Sequence, residues 1–201
     1  MRKWKRDLLR LRQKTKQERN RIDMTSQTLR EARKYEEASE KMIKQEERPD
    51  FHLSVRTGWM NDPNGFSYYN GQYHLFYQYN PYAPRWDSMH WGHAVTKDFL
   101  HWDYLPAALA PDEAYDRDGC FSGSALTLPD GRQLLMYTGV LRERKENGEH
   151  CDTQTQCLAV GDGVDYEKCA GNPVLDKNDI PEGSSVHDFR DPKMWQAEDG
   201  T

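Results

Sequence analysis

Two aspartates in the sequence stand in similar surroundings, and each is followed by proline. Asp62 lies eight residues before the turn pair Asn70-Gly71, and Asp191 lies eight residues before Asp199-Gly200. Two facing carboxylates suit glycoside hydrolysis, in which a gap of ~5 to 5.5 Å gives retention and one of ~6.5 to 9.5 Å gives inversion. The spacing in sequence leaves both outcomes open.

The segments around these turn pairs repeat a pattern of apolar strand, turn dipeptide and second apolar strand, which is typical of β-hairpins. The turns superpose at offsets of 60 and 69 residues, and the first offset aligns Leu75-Phe76-Tyr77 with Leu135-Met136-Tyr137. This period predicts a β-propeller, whose four-stranded blades surround a channel. The three segments are 65–79 around Asn70-Gly71, 125–139 around Asp130-Gly131 and 194–201 around Asp199-Gly200.

The same superposition places Asp62, Ser122 and Asp191 at one strand position. If that strand is the innermost of each blade, the three side chains point into one axial pocket. Asp-Pro and Ser-Gly are also ordinary turn dipeptides, so a structural role is the alternative; the shared register favours the functional one. Carboxylates among aromatic side chains suit a neutral sugar, which offers ring faces for stacking and hydroxyls for hydrogen bonds.

Charge and aromatic content divide the chain at Pro49. Residues 1–23 carry a net charge of +7, residues 24–48 carry none and the remainder carries −12, while 21 of the 23 aromatic residues follow Pro49. We therefore predict a charged N-terminal extension over 1–48 and a functional domain over 49–201. An acidic, aromatic-rich domain argues against nucleic acid as its partner, because phosphate contacts need clustered Lys and Arg.

The sequence contains no apolar run of membrane-spanning length and no secretory signal pattern, so we expect no membrane partner. Its four cysteines form no C-x-x-C pair. They fit reduced thiols in or near a core, and together these features predict a cytoplasmic protein.

Residues 28–47 are predicted to be helical. Thr28-x-x-Glu31 matches a capping box, Pro49 ends the pattern, and an apolar stripe should pack the helix on the following domain. The stripe comprises Leu29, Ala32, Tyr35, Met42 and Ile43. For residues 1–23 our hypothesis is that translation naturally starts at Met24, although a basic arm for nucleic acid or an anionic membrane is conceivable.

Five motifs follow one another in the order found in glycoside hydrolase family 32, the β-fructofuranosidases, and the sequence resembles the bacterial sucrose-6-phosphate hydrolases among them. The resemblance covers residues 49–201. The motifs are Trp59-Met60-Asn61-Asp62-Pro63-Asn64-Gly65, Tyr77-Gln78-Tyr79-Asn80-Pro81, Met89-His90-Trp91-Gly92-His93, Phe121-Ser122-Gly123-Ser124-Ala125 and Phe189-Arg190-Asp191-Pro192.

The resemblance implies an all-β fold, a five-bladed β-propeller followed by a β-sandwich. It implies that Asp62 is the nucleophile, in a retaining double displacement, and that Asp191 with Arg190 binds fructose hydroxyls and stabilises the transition state. It also implies that five further residues line the fructose subsite: Asn61, Gln78, Trp86, Phe121 and Ser122.

The family's acid/base is a glutamate in a downstream Glu-Cys motif, which these 201 residues lack. We therefore expect the chain to hold about two blades and the start of a third, without the β-sandwich, and to be inactive alone. The expected substrate is sucrose, sucrose 6-phosphate or a fructo-oligosaccharide, with no cofactor and no metal.

Several alternatives remain open. His90-x-x-His93 with Asp87 and His101 could bind a metal, but packing and hydrogen bonding are favoured for the histidines. The acidic loop Asp112, Glu113, Asp116 and Asp118 could bind calcium, but a solvated rim is favoured. The function could instead be that of a fructan hydrolase, a fructosyltransferase or a non-catalytic carbohydrate-binding propeller.

Overall fold

Two four-stranded antiparallel sheets form most of the chain, for which a computed structural model describes residues 25–144 and 148–197. In each sheet the strands pair in sequence order, as in the blade of a propeller, and the predicted all-β class is confirmed. The first sheet contains β1 (Trp59–Tyr69), β2 (Gln72–Asn80), β3 (His90–Thr96) and β4 (Trp102–Leu109), and the second contains β5 (Gly119–Thr127), β6 (Gln133–Arg144), β7 (His150–Gly161) and β8 (Tyr166–Lys168).

Both predicted hairpins within the described residues are present. Asn70 and Gly71 join β1 to β2 with φ angles of 48° and 80°, the left-handed backbone that a two-residue hairpin turn requires. The β5–β6 connection uses Gly131 at φ 85°. The third predicted turn, Asp199-Gly200, and the hypothesis about residues 1–23 lie outside the described residues.

The two sheets pack against each other through a shared apolar core, with β1 beside β5. Phe76 and Trp91 of the first sheet meet Leu135 and Tyr137 of the second, and all four are almost fully buried. Trp91 Nε1 also donates to the Phe121 carbonyl at 3.1 Å. Burial of this apolar surface fixes the angle at which the first strands of the two sheets approach.

An α-helix, α1 (Gln27–Glu40), packs on the outer strand β4. Leu29 and Ala32 are buried as predicted, and Glu36, which is 1% exposed, accepts hydrogen bonds from Ala107 N at 2.9 Å and Arg56 Nη1 at 3.0 Å. The buried face of the helix is therefore partly ionic, so the helix is joined to the sheet edge by charge as well as by apolar contact.

The predicted helix limits 28–47 and the cap at Thr28 were wrong. Ser26 is the cap and accepts from Leu29 N at 3.1 Å, and the helix ends at Glu40 because the next amides, Met42 N and Ile43 N, bond to carbonyls three residues back. A separate 3₁₀ turn follows at Gln45–Glu47. Met42 lies beyond the helix and is 82% exposed, so it does not extend the apolar stripe.

The acidic loop between β4 and β5 is not a solvated rim, and that interpretation was wrong for two of its carboxylates. Lys168 of β8 donates to Asp116 at 2.6 Å and to Ala110 O at 2.7 Å, and it also bonds Asp112. Asp116 is fully buried and accepts a further hydrogen bond from Tyr137 Oη at 2.7 Å. The loop therefore joins the two sheets through a buried ionic cluster.

Replacing Lys168 with methionine should destabilise the complete protein by about 3 to 5 kcal/mol, because it leaves the buried carboxylate of Asp116 without its cation. Urea unfolding measures the loss. Lys97→Met, at an exposed position in the connection between β3 and β4, is the matched control and should change stability by less than about 0.5 kcal/mol. Equal effects of the two substitutions would show that the buried cluster does not hold the sheets together.

The four cysteines are free, and Cys120, Cys157 and Cys169 are buried, as expected for reduced thiols in a core. Cys151 is partly exposed. Among residues 25–144 and 148–197, no helix has the length and apolar character needed to cross a membrane.

The first sheet presents an aromatic patch on the face that points away from the second sheet. Phe66, Tyr68 and Phe99 are 53%, 62% and 48% exposed, and they surround Tyr73, whose ring stacks on Phe66 at 5.9 Å. Three of these four rings are therefore largely exposed to solvent.

Candidate active site

Asp62 and Ser122 lie at matching irregularities of β1 and β5. Met60 pairs with Tyr79 and Pro63 with Tyr77, so two residues of β1, Asn61 and Asp62, face only Gln78. In the second sheet Ser122 is the additional residue between the paired positions Phe121 and Gly123. A β-bulge redirects the side chains at its position, so both sheets expose a polar side chain at the same point of their first strand.

Asp191 lies outside the regular strands, in a stretch held against the second sheet. Its backbone has a φ of 58°, and its amide donates to Thr138 Oγ1 at 3.1 Å. Its side chain is 58% exposed. The expectation that Asp191 occupies a strand position equivalent to Asp62 is not seen in the described residues, where 189–197 form no strand.

The charges of Arg190 and Asp62 both act on the Asp191 carboxylate. Burial raises the pKa of Asp191 above its ordinary value, Arg190 lowers it, and the negative charge of Asp62 raises it. Arg190 Nε lies 3.7 Å from Asp191 Oδ2, and its Nη1 donates to Asp188 at 2.8 Å. Asp191 therefore has a guanidinium beside it and is affected by the charge of the other carboxylate predicted from the motifs, Asp62.

The other predicted substrate residues lie around the two bulges. Gln78 is buried opposite the bulge of β1 and donates from Nε2 to the Cys120 carbonyl at 3.0 Å, whereas Asn61 is exposed beside Asp62. Trp86 is 45% exposed, and its ring packs edge-to-face with that of Phe121, with the two ring centroids 6.1 Å apart. An indole and a phenyl ring thus meet next to the β5 bulge at Ser122.

A cleft of about 530 Å³ lies next to Trp86, where β6 ends and β7 begins. Arg142 enters it over the Trp86 ring, 5.5 Å from the centroid, and pairs with Asp152 at 2.8 and 2.9 Å. Polar and charged side chains line the cleft. Its two arginines pair with carboxylates, Arg142 with Asp152 and Arg190 with Asp188. Its lining comprises Arg142, His150, Cys151, Asp152, Gln154, His187 and Arg190.

The histidines of His90-x-x-His93 do not converge on one point. Residues three apart on a strand point to opposite faces: His90 Nδ1 bonds the Ser88 carbonyl, whereas His93 Nε2 lies 3.0 Å from His74 Nδ1 and its ring stacks on Phe76. Burial lowers the pKa of His90 to about 4. In the described part of the chain, no group of three or more His, Cys, Asp or Glu side chains could hold a metal ion.

Three buried polar side chains of the second sheet were missed by the sequence analysis. Ser124, Thr138 and Gln156 lie on β5, β6 and β7 and bond to the backbone around Asp191. Ser124 belongs to a quoted motif, but the other two resemble ordinary strand residues. Only their 33- to 70-residue separation from their partners in sequence, closed by the fold, reveals them.

Comparison with known proteins gives a family match over the same region. The model of the Glycosyl hydrolases family 32 N-terminal domain matches residues 52–201. A sucrose-6-phosphate hydrolase of Zymomonas mobilis is 44% identical over 163 residues, which are 81% of this chain and 30% of the relative.

Two solved structures share the fold at appreciable identity. A variant of a Bombyx mori GH32 β-fructofuranosidase in complex with sucrose has a TM-score of 0.74 and 41% identity, covering 87% of this chain and 36% of that one. A variant of fructan 1-exohydrolase IIa from Cichorium intybus, in complex with 1-kestose, has a TM-score of 0.59 and 36% identity, covering 74% and 27%.

The chain therefore spans about a third of the proteins that it matches. The motif resemblance, the two propeller-type sheets and the family match over 150 of the 201 residues agree with one another. On these grounds, the chain belongs to glycoside hydrolase family 32.

Proposed function

We propose that this chain is the N-terminal part of a β-fructofuranosidase that hydrolyses the terminal β-D-fructofuranoside of sucrose or sucrose 6-phosphate with retention of configuration. The observation that carries the proposal is the pair of matching bulges that presents Asp62 on β1 and Ser122 on β5, where Thr138 Oγ1 bonds both the Ser122 carbonyl and the Asp191 amide. Family membership and the sucrose complex of the Bombyx mori relative support the substrate class.

In the proposed reaction an Asp62 carboxylate oxygen attacks C2 of the fructosyl unit. The bond from C2 to the leaving-group oxygen breaks, and that oxygen takes a proton from a carboxylic acid, which we assign to a glutamate in a Glu-Cys motif beyond Thr201. Water, deprotonated by the same group, then attacks C2 and releases Asp62. Two displacements at C2 restore the original configuration.

Asp191 and Arg190 act on the fructosyl unit rather than on the leaving group. An ionised carboxylate beside C2 stabilises the positive charge that develops there, and hydrogen bonds to the sugar hydroxyls that shorten in the transition state lower the barrier. Trp86 and Phe121 stack on the sugar, while Asn61, Gln78 and Ser122 bound the fructose subsite. The adjoining cleft then receives the leaving group.

Product analysis of the complete enzyme tests the proposal. We expect hydrolysis of sucrose, and in the presence of methanol we expect methyl β-D-fructofuranoside, because a retaining enzyme delivers the acceptor to the β face. Release of the α anomer would contradict the double displacement. Failure to cleave any β-fructofuranoside would overturn the proposal and favour a carbohydrate-binding propeller.

Fructan hydrolysis is the second candidate, and the 1-kestose complex of the Cichorium intybus relative favours it. The cleft does not decide between phosphorylated and neutral substrates by charge, because Arg142 faces Asp152 and Arg190 faces Asp188. Comparing kcat/KM for sucrose, sucrose 6-phosphate and 1-kestose separates the candidates. Preference for 1-kestose would reassign the enzyme to the fructan hydrolases.

We place the enzyme in the cytoplasm, a proposal supported by its four free cysteines. Reduced thiols persist in a compartment kept reducing by glutathione and thioredoxin. Fractionation of the producing cells, followed by sucrose-hydrolysis assays on each fraction, tests the assignment. Activity found outside the cytoplasmic fraction would contradict it.

A further inference from the structure

We infer that Thr138 and Gln156 are positioning residues for Asp191, and that a hydrogen-bond relay through their side chains holds the backbone that carries this carboxylate. The inference rests on the proposed function, since it assigns Asp191 a role in the reaction. It concerns two residues that do not belong to the recognised motifs.

The two ends of the relay are backbone groups of the 189–191 stretch. The Phe189 carbonyl accepts from Gln156 Nε2 at 2.7 Å, and the Asp191 amide donates to Thr138 Oγ1 at 3.1 Å. Between them, Thr138 Oγ1 lies 3.0 Å from Gln156 Oε1. The two side chains thus bracket Arg190 and close a ring with the backbone.

The chemistry of the end groups fixes the direction of the two terminal bonds. A carbonyl can only accept, so the Gln156 amide must turn its NH₂ toward Phe189 and its oxygen toward Thr138. An amide N–H can only donate, so the Thr138 oxygen accepts from Asp191, and its single hydroxyl proton faces two acceptors, Gln156 Oε1 at 3.0 Å and the Ser122 carbonyl at 3.3 Å. Removal of the Thr138 hydroxyl therefore releases the Asp191 amide, Gln156 and the Ser122 carbonyl at once.

The relay is buried, and the backbone it holds is unusual. Thr138 is fully buried and Gln156 is 2% exposed, so solvent does not replace lost bonds readily. Asp191 has left-handed φ, which residues with a side chain rarely adopt, and it precedes Pro192, which disfavours the right-handed helical conformation. The relay selects this conformation, on which the direction of the Asp191 carboxylate depends.

Ser124 extends the support on the other side of Asp191. Its Oγ donates to the Pro192 carbonyl at 2.8 Å and accepts from Met194 N at 2.9 Å. Side chains from three successive strands therefore satisfy four backbone groups between Phe189 and Met194. This stretch takes its conformation from the second sheet.

The test is Thr138→Val in the complete enzyme, which keeps the volume of the side chain and removes every hydrogen bond of its hydroxyl. We expect kcat on sucrose to fall by about 10- to 100-fold, the effect of moving a reacting group by ~1 Å, while KM changes less than about threefold. Thr138→Ser retains the hydroxyl and should restore kcat to within about threefold. The serine rescue separates the hydrogen bonds from packing.

Thr155→Val is the matched control. Thr155 is a buried threonine of the same sheet whose hydroxyl lies 3.5 Å from the Gly139 carbonyl and bonds to no residue of 189–194. It should leave kcat within about twofold of the unsubstituted enzyme. If Thr138→Val prevents folding, Ser124→Ala takes its place, since it releases the same stretch at Pro192 and Met194, and kcat should again fall.

A double-substitution cycle distinguishes positioning from general loss of stability. In an Asp191→Ala background the positioned carboxylate is absent, so adding Thr138→Val should reduce kcat no further. Equal loss of kcat with and without Asp191, or normal kcat in Thr138→Val, would overturn the inference while leaving the proposed function intact. An unsubstituted enzyme that hydrolyses no β-fructofuranoside would overturn both.

Discussion

Asp62→Asn should reduce kcat of the complete enzyme on sucrose by ~10⁴-fold or more, with little change in stability. The amide keeps the shape of the side chain but lacks the charge needed to attack C2, and removal of a nucleophile typically costs this much. The exposed position of Asp62 on the β1 bulge means that no buried partner is lost. Steady-state kinetics together with thermal unfolding measure the two effects.

Asp103→Asn is the control for this substitution. Asp103 is an exposed aspartate on β4 of the same sheet, so its replacement makes the same change of charge away from the site. It should retain kcat within about twofold. Substantial sucrose hydrolysis by the Asp62→Asn protein would remove Asp62 from the role of nucleophile.

Asp191→Asn should lower kcat by about three orders of magnitude, because the transition state loses a stabilising charge and its contacts with hydroxyl groups. The backbone amide that bonds to Thr138 is unchanged, so the stretch should keep its conformation. If only KM rose, Asp191 would bind substrate and transition state equally and would not contribute to the chemical step.

Asp188→Asn provides the local comparison. The Asp188 carboxylate also pairs with Arg190, whereas the charge of Asp62 acts on Asp191. It should cost less than about tenfold in kcat.

Lowering the pH should reduce kcat of the unsubstituted enzyme, as Asp191→Asn does. Because burial raises the pKa of Asp191, its charge is present above that pKa and is lost as the pH falls through it, at a higher pH than for an ordinary aspartate.

The sequence by itself determined the features that depend on neighbouring residues. The residue pair Asn70-Gly71 predicts a two-residue hairpin turn, because the left-handed backbone of that turn suits those residue types. The alternating strands on either side then fix the pairing, so the 60-residue offset correctly matched Tyr77 with Tyr137 and the bulge of Asp62 with that of Ser122. The five motifs were equally local, and the family followed from them.

The tertiary structure decided what depends on residues distant in the chain. Nothing in the sequence marked Glu36 or Lys168 as buried, yet Glu36 has partners 20 and 71 residues away and Lys168 has partners 52 to 58 residues away. Thr138 and Gln156 likewise gave no signal, since a polar residue in a strand is uninformative until its partner is known. A buried polar group must find a hydrogen bond, and the packing of one element on another supplies it. The motifs could therefore identify Asp191, but only the folded second sheet shows how its backbone is held in place.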